Sequence, residues 1–198
     1  MSERDTRRRL VITVVGETES GKTTWCVTEC DNYNGGRVTI LDYQQARNLA
    51  KYPTMPMSYV DKQRKGIYRV VNHDWKKFTE LCVKAYQRND MKGLIYYDDA
   101  STYMLSNEFK PLTDLMGGVR HKGCDIITTH HQLWSVPPYI MNNTQILVLF
   151  KTGEAADKGD PKRFKHYDRI QEAFNRVSAN SNKHYHEIVK LYGINNEI

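Results

Sequence analysis

The sequence predicts an α/β fold: a mainly parallel central sheet with helices on both faces, in three layers. Three features support this reading. Short runs rich in Val, Ile and Leu are continuous rather than alternating, as in strands buried on both faces. Segments with helical spacing alternate with these runs, which makes successive strands parallel through helical crossovers. Polar clusters follow three of the runs, and open parallel sheets bind ligands beyond the carboxyl ends of their strands.

Residues 10–15 read as the first strand and lead straight into a glycine loop. Residues 23–30 read as a helix ending before Asn34-Gly35-Gly36. Residues 37–42 form the second strand. Residues 43–65 are polar, contain Pro53 and Pro56, and are expected as loop with some helix. The third strand covers 66–72. Asp74 can cap a helix reaching about residue 88, with Trp75, Phe78, Leu81, Cys82 and Ala85 at helical spacing. Residues 93–99 form the fourth strand, apolar and then acidic. A helix is expected over much of 101–119. The fifth strand, 124–129, ends at His130-His131, and the sixth covers 145–151. Helical spacing returns after 161 at Phe164, Tyr167, Ile170, Phe174 and Val177, and a last strand is expected within 185–192.

A length of 198 residues suits a single domain, with a core over about 10–152 and a helix-and-strand extension over 153–198. Hydrophobic residues make up 39% and charged residues 26%, a balance that excludes a disordered chain. The net charge of +6 and pI near 9.0 favour phosphate-rich partners only weakly. Cys26, Cys30, Cys82 and Cys124 have neither zinc-ribbon nor disulfide-scaffold spacing and read as reduced thiols of an intracellular protein. The apolar run after the charged N-terminus is too short for a signal-peptide core or a membrane span. A soluble protein without a signal peptide is therefore expected.

The chemistry concentrates in the glycine loop, Gly16-Glu17-Thr18-Glu19-Ser20-Gly21-Lys22-Thr23, followed by Thr24. This is the phosphate-binding loop of P-loop NTPases. Its glycines allow consecutive backbone N–H groups to face phosphate oxygens, and the following helix adds its positive end. Lys22 is expected on the β- and γ-phosphates of ATP, and the Thr23 hydroxyl on Mg2+. At the end of the fourth strand, Asp98 is assigned to the magnesium shell and Asp99 to orienting or deprotonating the attacking water. Two acids capping the next helix are the alternative. His130 and His131 could sense the γ-phosphate from the fifth strand, or be one exposed and one structural histidine. Arg120 could stabilise phosphoryl charge in a neighbouring subunit, or be an ordinary surface arginine. His184 and His186 would make a metal pair only with further ligands. Trp25 is either core or a base-stacking residue. The basic stretch 158–166 is either a solvated helix face or a phosphate contact.

Glycine loop, two intervening strands, apolar-Asp-Asp, then Gly118-Val119-Arg120-His121-Lys122-Gly123 leading into Asp125-Ile126-Ile127-Thr128-Thr129-His130-His131 resembles the FtsK/HerA superfamily. The pattern is most similar to the small genome-packaging ATPases of tailless icosahedral viruses with internal membranes. It covers about residues 10–152, and Val136-Pro137-Pro138 and the apolar last strand keep the family's order.

The resemblance implies a RecA-like ATPase that self-assembles into a ring and pumps double-stranded DNA, independent of sequence, into a preformed capsid. A capsid-vertex or membrane-vertex protein is the implied partner, and the host cytoplasm or the virion vertex the implied location. Lys22 and Thr23 match Walker A, Asp98 the Walker B aspartate, and Asp99 the position of a catalytic glutamate. Arg120 matches an arginine that crosses a subunit interface. The family commonly ends its sensor strand in Thr-Gln; here Thr129 is followed by His130 and His131, with Gln132 after them, so the sensor lies among these three. A nucleotide-kinase-like phosphotransferase shares the loop and the size, but no Arg-rich lid is evident. A nucleotide-dependent switch and other FtsK/HerA-type translocases are the remaining alternatives.

Overall fold

The computed structural model describes residues 10–34, 36–87, 92–104, 107–118, 123–155, 160 and 162–192. Seven strands among them form one sheet in the order β3-β2-β4-β5-β1-β6-β7. These are β1 Val11–Val15, β2 Arg37–Leu41, β3 Gly66–Val70, β4 Gly93–Tyr97, β5 Cys124–His130, β6 Ile146–Phe150 and β7 His186–Lys190. The first six are parallel and β7 is antiparallel to β6.

The continuous apolar runs follow from burial on both faces. Val11 and Val15 of β1, Ile95 and Tyr97 of β4 and Leu147 and Leu149 of β6 point into one core. Ile12 and Val14, Leu94 and Tyr96, and Val148 and Phe150 point into the other. The first core is closed by α2 (Trp75–Tyr86), α3 (Lys110–Gly117) and α4 (Tyr167–Ala179), through residues such as Phe78, Leu115 and Phe174. The second is closed by α1 (Lys22–Asp31), through Cys26 and Cys30, and by Leu49 and Tyr52 of the long connection before β3. The result is the expected three-layer α/β architecture. The four cysteines are buried, and no disulfide forms among the described residues. Among the described residues no helix is long and apolar enough to cross a membrane.

The strands lie close to their expected positions, and Asp74 caps α2 by accepting from the Lys77 amide at 2.9 Å. The helix expected over much of 101–119 is cut down. A short 3-10 turn covers Ala100–Thr102, and α3 begins only at Lys110. Pro111 gives the reason: it has no N–H and fits a helix only in its first turn, which puts the helix start beside it. Strand β5 runs one residue further than expected and takes His130 into the sheet. Gly35, Val119, Arg120, His121 and Lys122 lie outside the described residues, as do Lys158, Gly159 and Pro161 of the basic stretch.

Candidate nucleotide site

The sheet order places β5 between β1 and β4, so the loop after β1 and the acids after β4 flank the end of β5. Gly16 is packed too closely for any side chain, since a Cβ there would lie 2.5 Å from Phe150 Cβ and 2.7 Å from Ser20 Oγ. Its amide donates to the His130 carbonyl at 3.1 Å, and the Glu17 amide to the Lys151 carbonyl at 2.8 Å. The loop is thereby tied to the ends of β5 and β6. Gly21, with φ of 106°, turns the chain into α1, and Glu19 holds the left-handed region at 63°. A non-glycine residue there stores of order 1 kcal/mol of local strain, held by the surrounding contacts.

Lys22 is buried, and its Nζ donates to the carbonyls of Gly16 and, at 2.8 Å, Glu17. Burial lowers its pKa, while the carboxylates of Asp99 and Asp98 oppose the drop. Ser20 Oγ is buried without a hydrogen-bond partner. Thr23 and Thr24 stand in the first turn of α1, whose amides have no partner within the helix.

Asp98 is nearly buried at 5% exposure. Tyr96 donates to its Oδ1 at 2.5 Å, Thr129 Oγ1 lies 3.4 Å from the same oxygen, and Tyr103 donates to its carbonyl at 3.0 Å. Burial pushes the carboxyl up to about 6, helped by the charges of Asp42 and Asp99 and opposed by the Tyr96 and Thr129 hydrogen bonds. Asp42 closes β2 from the far side, fully buried and ion-paired to Arg69 at 2.8 Å.

Asp99 sits in the left-handed region at φ 49°, its amide donating to Thr129 Oγ1 at 2.7 Å. This turn swings its carboxylate away from Asp98 and onto His131, whose Nε2 lies 2.9 Å from Oδ1, while Ser101 donates to the same oxygen at 3.0 Å. Burial raises the Asp99 carboxyl, but the hydrogen bond and charge of His131, with Ser101 and Lys22, outweigh it and hold the group below its ordinary range. The two acids are therefore pushed in opposite directions, as when two carboxyls take different roles.

The histidines also differ. His130 is 1% exposed, neither ring nitrogen has a hydrogen-bond partner, and burial pushes it down to about 3, so the ring is neutral at physiological pH. It lines a groove of about 200 Å³ together with Lys22, Thr23, Asp98, Asp99 and His131. Gln132 is exposed and does not line this groove. Glu154, which the sequence did not single out, accepts from the amides of Leu133 at 2.6 Å and Trp134 at 3.1 Å, and so fixes the turn that carries His131.

A second groove, of about 600 Å³, shares Lys22 and Thr23 with the first and runs along α1. Its walls are Trp25, Phe150, His184 and His186. His186 stacks on Phe150 with centroids 4.7 Å apart, and His184 Nδ1 donates to the Ser20 carbonyl at 3.2 Å. The two histidines are thus engaged with the glycine loop and an aromatic ring. Trp25 is partly buried against the second core and also lines this groove.

The residues present fit a magnesium–nucleotide pair. The unpartnered Ser20 hydroxyl, the buried Lys22 ammonium and the first-turn amides are donors for phosphate, and a groove walled by Trp25 and Phe150 adjoins them. Among the described residues no group of three or more His, Cys, Asp or Glu could hold a metal by itself.

No protein-family model matches the sequence, and no curated protein matches it. Solved structures do. The fold is similar to that of the genome packaging NTPase B204 from Sulfolobus turreted icosahedral virus 2 in complex with sulfate, at a TM-score of 0.70 and 12% identity over 93% of this chain and 92% of that one. The same protein in complex with ATP-gammaS matches at a TM-score of 0.69 and 14% identity, covering 92% of each chain. ATPases 2 and 3 of EssC from Geobacillus thermodenitrificans match at 0.57 and 13% over 91% of this chain and 37% of that one. The likeness to viral genome packaging ATPases expected from the sequence is thus found at the level of the fold.

Proposed function

We propose that this chain is a magnesium-dependent ATPase that assembles as a ring and drives double-stranded DNA into a viral capsid. The observation that carries the reading is the meeting of Lys22 and Thr23 with Asp98, Asp99 and His130 in one groove at the carboxyl ends of β1, β4 and β5. The similarity in fold to proteins described as genome packaging NTPases supports it.

In this reading the amides of the first turn of α1 and the Ser20 hydroxyl take the β- and γ-phosphates, and Lys22 exchanges its loop carbonyls for phosphate oxygens. Thr23 and Asp98 hold Mg2+, which supplies positive charge against the phosphates. Tyr96 and Thr129 keep the Asp98 carboxylate in place for that contact. Asp99, kept ionised beside His131, orients the attacking water or accepts its proton. His130 is a neutral donor for the γ-phosphate, and His186, Phe150 and Trp25 hold the base. Arg120, outside the described residues, is the group proposed to reach a neighbouring subunit. A capsid-vertex or membrane-vertex protein is the proposed docking partner, in the host cytoplasm or at the virion vertex.

The test separates hydrolysis from phosphotransfer. The purified chain given ATP and Mg2+ alone should release ADP and inorganic phosphate in equal amounts, and chelation of the metal should stop it. Phosphate that leaves ATP only when a small-molecule acceptor is added, and ends on that acceptor, would favour the kinase-like alternative.

A further inference from the structure

Far along the sheet from the nucleotide groove, edge strand β3 borders a groove of about 470 Å³. Its walls carry Tyr59, Lys62, Arg64, Lys65 and Tyr68. Three cations thus occur within four residues, Lys62 to Lys65, and all three are exposed. Tyr59 is one of the two large hydrophobic side chains exposed among the described residues, at 56%, and Lys62 Nζ stands 5.2 Å from its ring centroid. The acid next to this run, Asp61, is buried and ion-paired to Lys84 of α2 at 3.0 Å.

The backbone carrying these cations is anchored. Gln63, between them in sequence, is buried. Its side chain accepts from Thr39 Oγ1 at 2.7 Å and donates to the carbonyls of Val38 at 3.0 Å and Gly66 at 2.9 Å. Arg37 donates to the Gln63 carbonyl at 2.9 Å. Gly66, at φ 80°, lets the chain turn sharply into β3 beneath the Tyr68 ring, where a Cβ would come within 3.0 Å. A cationic loop pinned by four hydrogen bonds loses little backbone entropy when it meets a polyanion.

We propose that the groove along β3 is a contact surface for the sugar–phosphate backbone of double-stranded DNA, with Lys62, Arg64 and Lys65 on phosphates and the tyrosines against the sugars or donating to phosphate. The proposal rests on the DNA-motor reading and names the surface through which that motor touches its track. Cations without base-edge readers suit sequence-independent binding, because phosphate contacts position a duplex without reading it.

The test compares the wild type, Lys62→Ala/Lys65→Ala, and a charge-matched control, Lys76→Ala/Lys77→Ala, on exposed positions of α2. Binding to two unrelated duplexes of equal length is titrated against salt in the presence of a non-hydrolysable ATP analogue, and phosphate release is measured without DNA. The groove variant should lose about tenfold or more in affinity for both duplexes, and its log–log salt slope should shrink by about two, one for each phosphate contact removed. The control should change far less, and DNA-free phosphate release should be the same in all three. Equal losses in the groove variant and the control would overturn the proposal in favour of net charge alone. Unchanged binding by the groove variant beside a wild type that binds DNA would overturn the groove and leave the motor standing. A wild type that binds neither duplex would overturn both.

Discussion

Lys22→Ala should lower ATP turnover by about a hundredfold to a thousandfold or more and sharply weaken ATP binding. Removing one preorganised donor from developing charge costs about that much in other enzymes. Lys22 is a strong case because its ammonium is buried and already desolvated, so it meets phosphate with little solvent left to displace. In the resting loop it bridges the carbonyls of Gly16 and Glu17, which keeps the charge at the centre of the cradle. Alanine removes that charge while leaving Gly16 and Gly21, which set the loop's path. Circular dichroism should report an unchanged fold, and calorimetry the lost affinity. A folded Lys22→Ala protein with wild-type turnover would remove the glycine loop from the chemistry.

Asp99→Asn should leave Mg-ATP binding in place and slow hydrolysis by about a hundredfold, within the range for loss of a general base. Asparagine tolerates the left-handed conformation that this position adopts, so the backbone and the Thr129 contact to its amide should persist. The negative charge beside His131 is what disappears. Asp98→Asn should act differently, weakening Mg2+ binding, because Asp98 is the acid held by Tyr96 and Thr129 and faces the same groove as Thr23. Single-turnover rates and metal titrations on both variants separate the roles. Normal Mg-ATP binding in both, with turnover lost only in Asp98→Asn, would reverse the two assignments.

The parts of this architecture written in local residue order were readable before any coordinates. Continuous apolar runs marked the strands because both faces of a parallel sheet are buried. The glycine spacing marked the loop because close packing at Gly16 and the left-handed turn at Gly21 into a helix place demands on neighbouring residues. What the sequence hid depends on distant pairs or on a single overriding residue. Pro111 sits where the helix expected over much of 101–119 begins, and its missing N–H limits it to the first turn. The divergence of Asp98 from Asp99 comes from the deep burial of the first and the contact of the second with His131 just past the end of β5, and the Asp-Asp pair itself shows neither. His184 reaches Ser20 across 164 positions, and only the antiparallel pairing of β7 with β6 brings His186 onto Phe150. His184 and His186 would make a metal pair only with further ligands; the sheet sets them as a wall beside the glycine loop. Glu154 had no local signal, since its work is to hold amides twenty residues away.

The most direct test of a DNA-driving ATPase is the steady-state rate of phosphate release from Mg-ATP, measured with and without double-stranded DNA at constant salt. The account predicts a severalfold rise on adding duplex, equal for unrelated sequences of the same length and absent in Lys22→Ala. A rate indifferent to DNA at every concentration, in a protein that hydrolyses ATP, would contradict it.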